Sequence, residues 1–153
     1  MGRWFLTLSC AERRPEFVEA GVVADVTRHF LATGEATGCA ILVYCFMPDH
    51  VHVVAEGCSD TADAARFVSA AKQRSGYEFS RRFGRRLWQE SWYDRVLRRD
   101  DDLRDVVRYV IGNPIRAGLV EEPSQYQFTG SGTMSREELF AWATCDPEGS
   151  RYL

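Results

Sequence analysis

Two apolar runs separated by a proline–aspartate step constrain this chain more than any other feature. Cys39-Ala40-Ile41-Leu42-Val43-Tyr44-Cys45-Phe46 is apolar throughout and reads as a buried strand. Pro48-Asp49 breaks the run with turn chemistry, and a second strand is expected from His50 to about Glu56. Alternate residues of a strand face the same way. His50 and His52 therefore stand side by side on one face, while Val51 and Val53 enter the other. Two neutral imidazole lone pairs on one rigid face suit a divalent metal ion. The same spacing also describes two polar residues on the wet side of a half-buried strand, so the pair alone leaves both readings open. His29 falls in a helical pattern and is read as ordinary surface.

A chain of 153 residues is long enough for one domain with a sizeable core, expected over about residues 1–130 with a tail over 131–153. Hydrophobic residues make up 45% and charged residues 27%, which excludes a disordered or membrane-embedded class and fits a soluble globular protein. No apolar run is long enough to span a bilayer, and the opening Met1-Gly2-Arg3 leads straight into a strand-like stretch with no signal peptide visible. The five cysteines form no Cys-x-x-Cys pair and are read as reduced thiols of a cytoplasmic protein.

The other elements follow from period and punctuation. Trp4 to Ser9 is aromatic and β-prone, a first strand. Glu16 to about Thr33 carries apolar residues at helical spacing, with Gly34 and Gly38 ending it. A second helix is expected from about Ala62 to Phe79, capped by Asp60 or Thr61, then a basic loop from Arg81 to Arg86. Leu87 to Leu97 reads as a fourth strand, and Asp100-Asp101-Asp102 opens another helix that Pro114 limits. A β-like patch at Gln125 to Thr129 and a weak helix at Arg136 to Thr144 close the chain. Strand–helix–strand–strand–helix–strand predicts an α+β, ferredoxin-like antiparallel sheet with helices on one face. The first and third strands then lie centrally, the His-x-His faces the side those helices leave open, and the extra late helix is placed to cover it.

On that late helix, Leu103, Val106, Val107, Val110 and Ile111 form one apolar stripe. Tyr109 borders the stripe, and Asn113 follows one turn later on the same side. The pair is placed to point at a site on the sheet; padding and helix capping are the plainer roles for the same two residues.

The net charge of −3 hides a basic region. Between Arg66 and Arg99 ten basic residues meet only Glu78, Glu90 and Asp94, and aromatic residues are interleaved. Lys72, Arg74, Arg81, Arg82, Arg85 and Arg86 are the candidates for the backbone of a single-stranded nucleic acid, with the rings offered to its bases.

Three separated blocks together resemble a known family. Met47-Pro48-Asp49-His50-Val51-His52 resembles the HUH motif (His, apolar, His) of single-tyrosine transposases. Leu87-Trp88-Gln89-Glu90-Ser91-Trp92-Tyr93-Asp94-Arg95-Val96-Leu97-Arg98 is similar to their fourth-strand block. Arg108-Tyr109-Val110-Ile111-Gly112-Asn113-Pro114-Ile115-Arg116-Ala117-Gly118-Leu119-Val120 resembles their tyrosine helix and its exit. The resemblance is nearest to the REP-associated tyrosine transposases, in which a histidine often stands two residues after the tyrosine; here that residue is Ile111.

The resemblance implies cleavage and rejoining of single-stranded or hairpin DNA by a metal-dependent enzyme, acting as a monomer or homodimer. It implies Tyr109 as the nucleophile and His50, His52 and Asn113 as ligands of Mg2+ or Mn2+. Two other classes fit the same residues: a domesticated binding module that does not cut, and a His-x-His metal hydrolase in which Tyr109 is structural.

Overall fold

A computed structural model of the chain describes residues 2–98 and 101–145. Arg99, Asp100 and the end of the expected tail lie outside the described residues. The elements run β1 (Arg3–Ser9), α1 (Ala20–Thr37), β2 (Cys39–Met47), β3 (His50–Gly57), α2 (Ala64–Phe83), β4 (Tyr93–Leu97), α3 (Leu103–Ile111), α4 (Asn113–Arg116), β5 (Thr129–Gly130) and α5 (Arg136–Thr144). The strands form one antiparallel sheet in the order β4-β1-β3-β2-β5. The expected α+β sheet is therefore present, with β1 and β3 paired at its centre.

The two faces of the sheet carry separate cores. Leu6, Leu8, Val51 and Val53 point towards α1 and α2, where they meet Phe17, Phe30 and Phe67. Val43, Cys45 and Val54 point the other way, under Val107, Val110 and Ile111 of α3 and Leu139 and Ala143 of α5. A register shift between Ile41 and Val43 makes this possible. The extra residue of a bulge turns the strand over. Ile41 thus serves the first core, and Val43, Cys45 and Met47 serve the second.

Several boundaries differ from the sequence reading, each for a local reason. Glu16–Val18 is a 3-10 turn outside α1, because Phe17 N–H donates to Pro48 O at 3.0 Å and ties the backbone to the β2–β3 turn. Gly34 lies inside α1 and is there for clearance, since a Cβ would stand 2.7 Å from Cys39 O. Gly38 alone ends the helix, at φ 72°. Asp63, not Asp60 or Thr61, caps α2 by accepting from Ala65 N–H at 2.9 Å. That helix continues to Phe83, so Arg81 and Arg82 are helical and not in a loop.

The fourth strand starts only at Tyr93. Leu87 and Trp88 are buried, and Trp88 makes an isolated antiparallel bridge to Cys10 just past the end of β1. Lys72 Nζ then donates to Gln89 O (2.6 Å) and Glu90 O (2.8 Å), which separates this bridge from the strand proper. Asp102 caps α3 through Arg104 N–H at 2.8 Å. Pro114 does not stop the chain's helical path but sits in the first turn of α4. The β-like patch expected at Gln125 to Thr129 is mostly irregular: Gln125 ends a 3-10 turn, Pro123–Gln125, and only Thr129 reaches the two-residue strand.

The late helix α5 matches its expected span. This stretch, expected as a tail, packs on α3: Leu139 is fully buried there, and Arg108 Nε donates to Ala143 O at 2.5 Å. Burying one such leucine contributes about 1.5–3 kcal/mol. No helix among the described residues is long and apolar enough to cross a membrane.

Candidate active site

Strand alternation places His50 and His52 on the α3 side of β3, with Val51 and Val53 fully buried on the other. Their Nε2 atoms converge to 3.1 Å. Each Nδ1 is engaged elsewhere. His50 Nδ1 lies 2.7 Å from Asp49 Oδ1, and His52 Nδ1 lies 2.9 Å from Thr7 Oγ1, which the register puts directly across on β1. A carboxylate can only accept, so it sets the proton of a neutral His50 on Nδ1 and leaves the Nε2 lone pair outward. Second partners of this kind are what orient metal-binding imidazoles.

Asp49 is itself held from outside, by Arg13 Nε at 3.0 Å. Burial alone would raise its carboxyl, but the hydrogen bonds from His50 and Arg13 outweigh that and keep it below its ordinary 3.8. Arg13 occupies a tight turn in which both Glu12 and Arg13 have φ 55°. Two consecutive non-glycine residues in the left-handed region store strain beside a site. His52 is pushed down to about 4, first by burial, then by the His50 and Arg116 charges. It is therefore neutral at ordinary pH, the state a metal requires.

α3 brings Tyr109 to the same face. Phe5 joins the two halves, its ring centroid 5.3 Å from that of His52 and 6.1 Å from that of Tyr109. Tyr109 is 54% exposed, so its hydroxyl is open to a large substrate. The Arg116 guanidinium lies over its ring, 4.1 Å from the centroid. Arg116 also donates to Tyr109 O and, at 3.1 Å, to Asn113 Oδ1. Gly112 makes the fold-back possible: a Cβ there would stand 3.0 Å from Arg116 Nη1.

The donor set fits a divalent ion. Ligands at about 2.1 Å that subtend a right angle lie about 3.0 Å apart, close to the spacing of the two Nε2 atoms. Among the described residues no three His, Cys, Asp or Glu side chains gather, so a third protein ligand must be of another type. Asn113 Oδ1 keeps one lone pair beyond its bond to Arg116. Its Nδ2 is buried without a partner, an amide whose surroundings are incomplete. Ile111 is buried in the apolar floor.

The basic candidates do not gather around Tyr109. They lie on α2 and the loop after it, across the sheet from α3, and most have protein partners. Arg85 makes a two-pronged bond to the buried Glu16 at 2.8 and 3.0 Å, and Arg82 bonds Asp25 at 2.7 Å. Arg86 donates to Trp88 O at 3.0 Å, Arg74 reaches Thr33 Oγ1 at 3.5 Å, and Lys72 holds the Gln89 and Glu90 carbonyls. Arg81 lies over the exposed Tyr77 ring, 5.8 Å from its centroid. His29 is not plain surface: it pairs with Glu78 between α1 and α2, its side chain 19% exposed.

Thr7, Arg13, Phe5 and Arg116 are site residues that sequence reasoning missed. Only Arg116 had a local signal, since it lies seven residues after Tyr109 and one turn after Asn113. Thr7 and Phe5 become neighbours of His52 only through strand pairing.

A ferredoxin-like sheet with a His-x-His on its open face, covered by a helix that carries an exposed tyrosine, defines a tyrosine-transposase-like nuclease scaffold. Residues 5–113 match the family model described as "Transposase IS200 like", and the chain belongs to this transposase family. It is similar to the REP-associated tyrosine transposase of Escherichia coli K12, 23% identical over 84% of this chain and 75% of the relative. A Haemophilus influenzae protein provisionally assigned to the same class is 19% identical over 91% of this chain and 85% of its own. Among solved structures, a REP-associated tyrosine transposase bound to a REP hairpin superposes with a TM-score of 0.71 at 21% identity, covering 84% of this chain and 75% of that one.

Proposed function

We propose that the chain cuts and rejoins single-stranded or hairpin DNA through a covalent 5′-phosphotyrosine on Tyr109. The observation that carries this reading is the convergence of the His50 and His52 Nε2 atoms at 3.1 Å, linked through Phe5 to an exposed tyrosine. The relatives' description as transposases and the hairpin held by one structural neighbour support DNA as the substrate.

His50, His52 and Asn113 Oδ1 would hold Mg2+ or Mn2+. Such an ion, when bound, polarises a non-bridging phosphate oxygen. The Tyr109 oxygen attacks phosphorus as its phenol proton leaves. The bond from phosphorus to the 3′ oxygen breaks, and that oxygen departs as a 3′-hydroxyl after taking up a proton. The ester on Tyr109 conserves the bond, so another 3′-hydroxyl can reverse the step without ATP. Arg116 fixes the ring and the amide on one short stretch of chain, so nucleophile and third ligand move together.

Incubation with single-stranded hairpin DNA and Mn2+, followed by a denaturing gel, tests the reading. A covalent protein–DNA band that is lost in Tyr109→Phe is expected. Binding without a band would favour a non-cutting module, and cleavage that survives Tyr109→Phe would favour a plain metal hydrolase.

A further inference from the structure

Beside Tyr109, between β4 and α3, lies a cleft of about 570 Å³. Its size is that of a small-molecule site. Three rings line it: Phe5 from β1, Tyr93 from β4 and Tyr109 itself. Tyr93 is 59% exposed and Tyr109 54%, so these are large ring surfaces that neither core uses. Phe5 and Tyr93 also stand in adjacent rows of the face that bears the histidines, since Phe5 pairs with Arg95 and Thr7 with Tyr93.

The polar groups of the cleft are Arg95 and, along the α3 wall, Asp102 and Asp105, with Asp101 beside them. Carboxylates repel a phosphate, so the α3 wall of the cleft faces a base and not the backbone. Exposed rings do suit a nucleobase, whose faces stack at about 1–3 kcal/mol per base. The carboxylates then select by edge. Asp102 spends Oδ1 on its helix cap. Asp105 is one turn before Tyr109, and its carboxylate is 50% exposed with Arg108 no nearer than 3.9 Å. Acceptors on one wall and a guanidinium on the other match a base edge that places adjacent N–H donors next to a carbonyl. Guanine has that edge; the pyrimidines present fewer donors.

Resting on the transposase reading above, we propose that this cleft is a guanine pocket for a nucleotide flanking the scissile phosphate, with Tyr93 as stacking platform and Asp105 as edge reader. Two measurements test it. Titration with uncharged deoxynucleosides, followed through tyrosine ring resonances, needs no cleavage. Deoxyguanosine is expected to shift the Tyr93 and Tyr109 signals and to bind about tenfold tighter than thymidine or deoxycytidine. Tyr93→Ala should weaken deoxyguanosine binding about tenfold, and Asp105→Asn should erase its advantage. Absent or equal shifts for all nucleosides would overturn the pocket. In the second measurement, hairpin strands carry an abasic site on either side of the cleaved bond. Loss of covalent adduct at one of the two positions supports the proposal. Equal adduct at both overturns it and leaves the transposase chemistry standing, whereas no adduct from any strand removes that chemistry and leaves the titration to decide the pocket.

Discussion

Arg116 lies across the ring of Tyr109, its guanidinium 4.1 Å from the ring centroid, while the same group holds Asn113 Oδ1 at 3.1 Å. A cation on a ring face contributes about 0.5–1 kcal/mol at an exposed site, enough to favour one ring position. Arg116→Ala is therefore expected to lower adduct yield about tenfold with DNA affinity little changed, and Arg116→Lys to restore only part, because a lysine cannot span ring and amide together. Gly112→Ala, which crowds Arg116 Nη1, should act in the same direction. Single-turnover adduct formation measured beside filter binding checks this; equal losses in both would point to a general role in folding or affinity.

His50→Ala and His52→Ala are expected to abolish Mn2+ binding and cleavage while moving Tm by no more than about 4 °C. Neither side chain belongs to the two buried cores. Calorimetric titration with Mn2+ and a thermal melt give the two readouts, and unfolding of either variant would make the pair structural.

The acid limb of stability should carry a His52 signature. Its folded value of about 4 lies below its ordinary 6.5. The unfolded chain thus takes up this proton first as pH falls from about 6.5, so stability drops through that window and flattens below about 4. His52→Gln should remove this slope in urea melts between those two pH values. An unchanged slope would show that His52 does not titrate differently on folding.

Tyr109→Phe should lose the covalent adduct and keep DNA binding, since only a hydroxyl is removed. Tyr93→Phe should keep the adduct, because the substitution retains the ring and Tyr109 keeps the attacking hydroxyl. Gel analysis of both variants decides, and the reverse pattern would transfer the nucleophile to Tyr93.

The six basic candidates should separate by experiment. Arg85→Ala leaves Glu16, 8% exposed, without its two-pronged partner and is expected to lower Tm. Arg81→Ala should leave Tm unchanged and reduce the steepness of DNA binding against log salt by about one unit. A salt slope unaffected by Arg81→Ala would place the DNA on another face.

Much of the placement was legible along the chain. The alternation through His50, Val51, His52 and Val53 needs only strand geometry, and the Tyr109–Asn113 spacing needs only one helical turn. The strand and helix order was enough for the sheet, and the weak helix expected at Arg136 to Thr144 is α5.

Contacts between distant segments were decided by tertiary structure alone. Thr7 meets His52 because β1 pairs with β3 in one register, and a shift of one residue would face Thr7 away. The bulge between Ile41 and Val43 is a property of two strands together, yet it turns Cys45 and Met47 to the histidine face. The same holds for charge. Composition counts the arginines of α2 and the loop after it, but only folding sets Arg85 on Glu16 and Arg82 on Asp25, so a basic sequence becomes a partly neutralised surface. Local periods are imposed by each residue's own backbone geometry and can be read in sequence; partner and register depend on the whole packed chain, and these placed Arg13, Thr7 and Phe5 around the site.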